Sequence, residues 1–218
     1  MVETDKSVIS LLLKNEVLKF GKFTLKSGRK SSYFYNTRRL NDGNAMIEIG
    51  KYYADVIEKN SLKFEVIIGP SYAGIPLAIS AAEELARRGK NVRFVYDRKE
   101  SKNYDDEKDR LFVGDLNDDD RAIILDDVIT DGGTKLDMLA KIKATGKNIK
   151  IIGLVVLFDR QEGGKTGMNA VKEMEGKDLP VYSVLTATEL FDHLHNKRID
   201  GKIIVDDVAY NNFKKNLK

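Results

Sequence analysis

Cysteine is absent from this 218-residue chain, which excludes disulfides and cysteine-ligated zinc. Histidine is nearly absent. His193 and His195 are the only two, both toward the C-terminal end, and neither is assigned a role. Long hydrophobic runs are missing as well: the longest, 151–158, is interrupted by Gly153 and falls far short of the ~20 residues of a membrane helix. Met1-Val2-Glu3-Thr4-Asp5 shows no basic segment followed by an apolar one, so no secretory leader is expected. Charge of one sign is scarce. The 37 basic and 34 acidic residues leave a net +3, which gives no general polyanion surface and no nucleic-acid footprint. The expectation is a cytoplasmic globular protein without membrane or nucleic-acid partners. It should form a single domain over 1–218, with 42% hydrophobic residues for its core.

What is present is a recurring pattern of short apolar runs rich in β-branched residues: 64–68, 92–96, 122–125, 149–157 and 181–185. Helical spacing fills several intervals, as in 75–88, where Leu77, Ala78, Ala81, Ala82 and Leu85 form a stripe, and in 136–144. Strand and helix in alternation predict an α/β fold with a mostly parallel central sheet flanked by helices. The runs are apolar throughout, as for strands covered on both faces. The ends read differently. Residues 5–20 predict a helix, 23–40 extended segments joined by a Ser-Gly turn, 44–60 another helix, and 186–218 a short helix followed by a second. A small cap, or hood, is expected from about 1–40 and 180–218.

The run Ile123-Ile124-Leu125 ends in Asp126-Asp127, and Val128-Ile129-Thr130-Asp131-Gly132-Gly133-Thr134 follows. A helical pattern then begins at Lys135. In open α/β sheets ligands bind beyond the carboxyl ends of the strands. Amides at a helix start face an anion, glycines let the backbone approach it, and paired carboxylates suit the hydroxyls of a sugar. The pattern therefore suits a sugar phosphate. A plain strand-to-helix turn with Asp127 or Thr130 as helix cap is the simpler alternative.

This stretch resembles the phosphoribosyl pyrophosphate (PRPP) motif of type I phosphoribosyltransferases. The resemblance implies that family's fold, with Asp126 and Asp127 on the ribose hydroxyls. Val128, Ile129, Thr130, Asp131, Gly132, Gly133 and Thr134 would cradle the 5′-phosphate. Asp131 departs from the usual small or hydroxylated residue. A second stretch, Phe23-Thr24-Leu25-Lys26-Ser27-Gly28-Arg29-Lys30-Ser31-Ser32-Tyr33-Phe34-Tyr35, reads by itself as a hairpin with core aromatics. It resembles the orotate phosphoribosyltransferase signature T-L-K-S-G-x-x-S-x-Y-F. By that resemblance Lys26 contacts PRPP and orotate, Phe34 and Tyr35 line the orotate site, and Thr130 reaches the base.

Three further segments fit the same family. Asp159-Arg160-Gln161-Glu162 matches its D-R-Q-E-x-G segment, which implies Arg160 as the partner of the orotate carboxylate; pairing with Glu162 or Asp159 is the alternative. The stretch 69–76 resembles the pyrophosphate loop, with Tyr72 and Ala73 contributing backbone contacts, although Ala73 stands where some bacterial members carry Lys. Arg98-Lys99-Glu100-Ser101-Lys102 resembles R-K-x-x-K, which opens a flexible catalytic loop here spanning about 98–112. Arg98 and Lys99 would hold pyrophosphate and Lys102 would be the chief catalytic cation. Tyr104 is counted among the PRPP contacts, in a slot where bacterial relatives often carry His.

The implied reaction is transfer of phosphoribosyl from PRPP to orotate, giving orotidine 5′-monophosphate and pyrophosphate in UMP biosynthesis. Mg²⁺ is the implied cofactor. It would be carried by PRPP, with Asp126 and Asp127 as its nearest side chains and no other ligand expected. Asp126 and Asp127 would orient the ribose and stabilise positive charge on its ring. The implied assembly is a homodimer with the loop shared between subunits, and a separate decarboxylase is a conceivable partner. Another PRPP-dependent base transferase and a non-catalytic PRPP-sensing regulator are the alternatives. Sensing regulators tend to lose the loop cations that this chain keeps.

Overall fold

The computed structural model describes residues 3–24, 30–98, 111–130, 132–163 and 168–217. Among these the chain forms α1 (Glu3–Lys14), β1 (Leu18–Thr24), β2 (Lys30–Tyr35), a 3-10 turn at Thr37–Arg39, α2 (Gly43–Lys59), β3 (Val66–Gly69), α3 (Gly74–Arg87), β4 (Arg93–Asp97), β5 (Phe112–Val113), β6 (Arg121–Ile129), α4 (Gly133–Ala144), β7 (Lys150–Asp159), α5 (Ala170–Glu175), β8 (Val181–Thr186), α6 (Ala187–Leu194), β9 (Arg198–Ile199), β10 (Lys202–Ile203) and α7 (Asp207–Asn216). No helix among the described residues is long and apolar enough to cross a membrane.

The central sheet has the order β5-β4-β3-β6-β7-β8. All neighbouring pairs are parallel except β4 with β5. The five expected strands are its parallel members, and β5 is an antiparallel edge too short to leave a pattern in the sequence. Strand alternation splits the core in two. Ile67, Ile123, Leu125, Val155 and Leu157 pack on one face with α1, α2, α3 and α6. Val66, Ile68, Ala122, Ile124, Leu154 and Val156 pack on the other with Met138 and Ile142 of α4 and Met174 of α5. This is why the strands read as apolar throughout.

The N-terminal helix is shorter than expected. Glu16 adopts a left-handed φ of 54°, and the Val17 N–H reaches back to the Leu12 carbonyl at 2.9 Å. The chain therefore leaves the helix after Lys14 and enters β1, so Leu18 belongs to a strand although its spacing continues the helical stripe. β1 and β2 form an antiparallel hairpin. The hairpin, α1, α6 and α7 gather around Tyr33, Phe191 and Phe213. The C-terminal share of this cap begins at α6 rather than near residue 180, since β8 is an integral sheet strand.

Chain order and sheet order together fix where a ligand fits. After β3 the chain moves outward to β4, then returns to the other side of β3 for β6. The turns leaving β3 and β6 thus part at a topological switch point, the usual crevice for ligands in such sheets.

Candidate active site

Two helix N-termini open on that crevice, α3 after β3 and α4 after β6. Their backbone dipoles favour anions there. The turns approach closely, and glycine permits it: a Cβ on Gly74 would lie 2.9 Å from the Leu125 carbonyl. Gly132, with φ of 73°, starts α4, and a Cβ there would lie 2.8 Å from Met174 Cε. Thr130 and Thr134 are exposed beside it.

The two carboxylates occupy different environments. Asp126 is buried, and both of its oxygens are engaged: Oδ1 accepts the Asp127 N–H at 2.9 Å and Oδ2 accepts Lys135 Nζ at 2.7 Å. Lys135, itself buried in the first turn of α4, also donates to the Val128 carbonyl at 2.6 Å. A cation at a helix N-terminus opposes the dipole, and here two acceptors offset that. Asp127 Oδ2 accepts Thr37 Oγ1 at 2.5 Å. Burial and the adjacent Asp126 push the Asp127 carboxyl up from its ordinary 3.8 to about 6. Tyr53 and Tyr35 donate to the Asp126 and Asp127 carbonyls at 2.9 and 3.3 Å. Burial holds both phenols well above their ordinary range.

Next to this pair, Asp159 ends β7 level with Ile129, and burial raises its carboxyl. Arg160 follows it. The guanidinium is buried 4.5 Å above the Tyr33 ring and donates to Glu162 at 2.9 Å. Burial opposes its charge, and Glu162 outweighs that, so its pKa is raised. Nε is buried without a hydrogen-bond partner among the described residues. Tyr35 stacks on Phe158 at 4.9 Å. The cap hairpin brings Tyr33 and Tyr35, and the end of β7 brings Arg160, next to the carboxylate pair.

The structure brings together Tyr35, Asp126, Asp127, Val128, Ile129, Thr130, Gly132, Gly133, Thr134 and Arg160. Phe34 is not among them: successive strand residues face opposite ways, and Phe34 packs on Phe23 at 5.6 Å on the other side of the hairpin. Tyr72, with 69% of its surface exposed, and Ala73 lie in the turn before α3, and Arg98 follows β4. Lys26, Lys99, Lys102, Tyr104 and Asp131 lie outside the described residues. Sequence reasoning missed Thr37, Tyr53 and Lys135. Only Lys135 had a local signal, a lysine in the first turn of the helix behind the motif.

A divalent cation finds little protein ligation here. No cluster of three or more His, Cys, Asp or Glu suited to a metal occurs among the described residues. Of the pair, Asp126 is engaged and Asp127 is left to face a ligand. That donor set fits Mg²⁺, which keeps most of its shell as water and substrate oxygens and takes one or two carboxylates.

The model of the phosphoribosyl transferase domain matches residues 36–185. Orotate phosphoribosyltransferase from Agathobacter rectalis is 37% identical over 213 residues, covering 94% of this chain and 93% of that one. Its counterpart from Lachnoclostridium phytofermentans is 35% identical over 210 residues, covering 95% and 92%. The crystal structure of orotate phosphoribosyltransferase from Francisella tularensis superposes with a TM-score of 0.79 at 32% identity, covering 96% of both chains. The hairpin signature, the switch-point carboxylates and the segment after β7 thus occur in a chain that aligns with these enzymes almost end to end, and it belongs to the phosphoribosyl transferase family, among the orotate phosphoribosyltransferases.

Proposed function

We propose that the chain transfers the phosphoribosyl group of PRPP to orotate, releasing pyrophosphate, as a cytoplasmic homodimer in pyrimidine biosynthesis. The observation that carries the reading is the juxtaposition of Asp127, at the switch-point end of β6, with the buried guanidinium of Arg160 beside Tyr33 and Tyr35.

Orotate is a flat ring bearing a carboxylate. Tyr35, half-buried and stacked on Phe158, offers an aromatic ring, and Arg160 offers charge-assisted donors once it turns from Glu162. Thr130, Gly132 and the α4 N-terminus take the 5′-phosphate. Asp127 orients the ribose hydroxyls, and its charge opposes the positive charge that develops on the ribose ring as the C1–O bond breaks. Orotate already ionised at N1 attacks without a dedicated base. Asp127 would help hold a PRPP-borne Mg²⁺, which would supply positive charge against the diphosphate. Arg98 faces the leaving group, and Lys99 and Lys102 are assigned to it by resemblance. Lys26 is likewise assigned to the ligands.

Incubation with PRPP, Mg²⁺ and orotate should yield orotidine 5′-monophosphate and pyrophosphate in equal amounts by chromatography. Absence of that nucleotide in a folded preparation would sink the reading.

A further inference from the structure

Asp97 ends β4 and is buried, yet the chemistry above gives it nothing to do. Its two oxygens serve different elements. Oδ1 accepts the Ser71 backbone N–H at 2.6 Å, in the turn before α3, while Oδ2 pairs with Lys141 Nζ of α4. The same Lys141 Nζ donates to the Arg98 carbonyl at 3.2 Å. The Arg98 N–H donates to the Leu111 carbonyl at 2.8 Å, which fixes both neighbours of the segment 99–110 at one point. Two side-chain donors flanking this knot, Ser71 Oγ and Arg98 Nε, are buried with no hydrogen-bond partner among the described residues. Buried donors without acceptors are rare unless a ligand supplies one.

A carboxylate this close to a polyanion site is unfavourable by charge alone. Lys141 neutralises it, so Asp97 can act as a rigid acceptor without repelling the anion. The Ser71 turn and Arg98 come from different strands and would otherwise move independently, which would weaken every contact made jointly to one diphosphate.

We propose that Asp97 and Lys141 are positioning residues for the leaving group, holding the 70–73 turn and Arg98 in one frame anchored on α4. The proposal rests on the reaction assigned above. The test is a KM split across both directions of the reaction, on Lys141→Met, Lys141→Arg, Asp97→Asn and the double variant Asp97→Asn/Lys141→Met. Lys141 is 34% exposed, but Lys141→Met leaves the buried Asp97 carboxylate without its cation, so the double variant, which removes both charges, carries the KM split if a single variant does not fold.

Lys141→Met is expected to raise KM for PRPP and for pyrophosphate roughly tenfold, the scale of one charge-assisted hydrogen bond. KM for orotate should stay within about twofold, and Lys141→Arg should restore most of the loss. The double variant should lose less than the product of the single losses, as residues of one network do. Equal loss in all three constants, a fall confined to kcat, or fully multiplicative single losses would overturn the proposal. If the unaltered protein makes no orotidine 5′-monophosphate, the reaction assigned above fails. Calorimetry with magnesium pyrophosphate then decides for the pair: roughly tenfold weaker binding to Lys141→Met supports it, and unchanged binding refutes it.

Discussion

Replacing Asp127 by asparagine should stabilise the ligand-free protein at neutral pH and remove its grip on PRPP. The carboxyl titrates near 6 in the folded chain against an ordinary 3.8. Burial and Asp126 are the causes, so the folded state favours the protonated form. That contribution is fully present below about pH 4, is lost as pH rises toward 6, and stays lost above it. The gap between 3.8 and about 6, at about 1.4 kcal/mol per pH unit, sets an upper bound of about 3 kcal/mol. Asparagine keeps an acceptor for Thr37 and carries no charge, so it escapes the cost at every pH. Urea unfolding of both proteins, followed by circular dichroism with chelator and at one protomer concentration, checks this. The difference favouring Asp127→Asn should grow from near zero at about pH 4 to between about 1 and 3 kcal/mol at about pH 8. Profiles that run parallel, or a variant less stable at the higher pH, would refute the assignment of a buried, repelled charge to this position.

Three further outcomes follow from the site. Lys135→Met leaves the buried Asp126 carboxylate without its cation and should destabilise the fold by about 3–5 kcal/mol in denaturant titrations; adding Asp126→Asn should recover part of the loss. Arg160→Met should raise KM for orotate by roughly ten- to a hundredfold, the scale of charge-assisted bonds, and leave KM for PRPP within about twofold, as read in steady-state assays. Mixing Lys102→Ala with Asp127→Asn subunits, each inactive alone, should restore activity once size-exclusion and mass measurements show hybrid dimers, because one hybrid site then carries both intact residues. No recovery counts against loops shared between subunits.

Much of the site was legible because its chemistry is local. An apolar run reaching Asp126-Asp127 and followed by glycines specifies a strand, a turn and a helix start within a few residues; the helix starts near Lys135 as expected, while the strand runs on through both carboxylates to Ile129, four residues beyond the expected 122–125. The parallel sheet was legible for the same reason, since strands covered on both faces need continuous apolar runs. What was not legible depends on distant packing. Thr37 and Tyr53 reach the carboxylates across 90 and 73 residues of chain, and no local pattern marks such contacts. The end of α1 was misjudged because Leu18 keeps the helical stripe while the left-handed Glu16 breaks the backbone. β5, β9 and β10 span two residues each, too few to show a period. Phe34 shows a further limit: adjacent aromatics in a strand read as one cluster, although alternation sends them to opposite faces.

A crevice that joins a ribose–phosphate cradle to a site for orotate should discriminate sharply among bases. The most direct test is the rate of base consumption with PRPP and Mg²⁺, with orotate, adenine and hypoxanthine measured side by side by ultraviolet absorbance. Rapid loss of the orotate band is expected, with no detectable change for either purine. Consumption of adenine or hypoxanthine with orotate untouched would contradict that expectation.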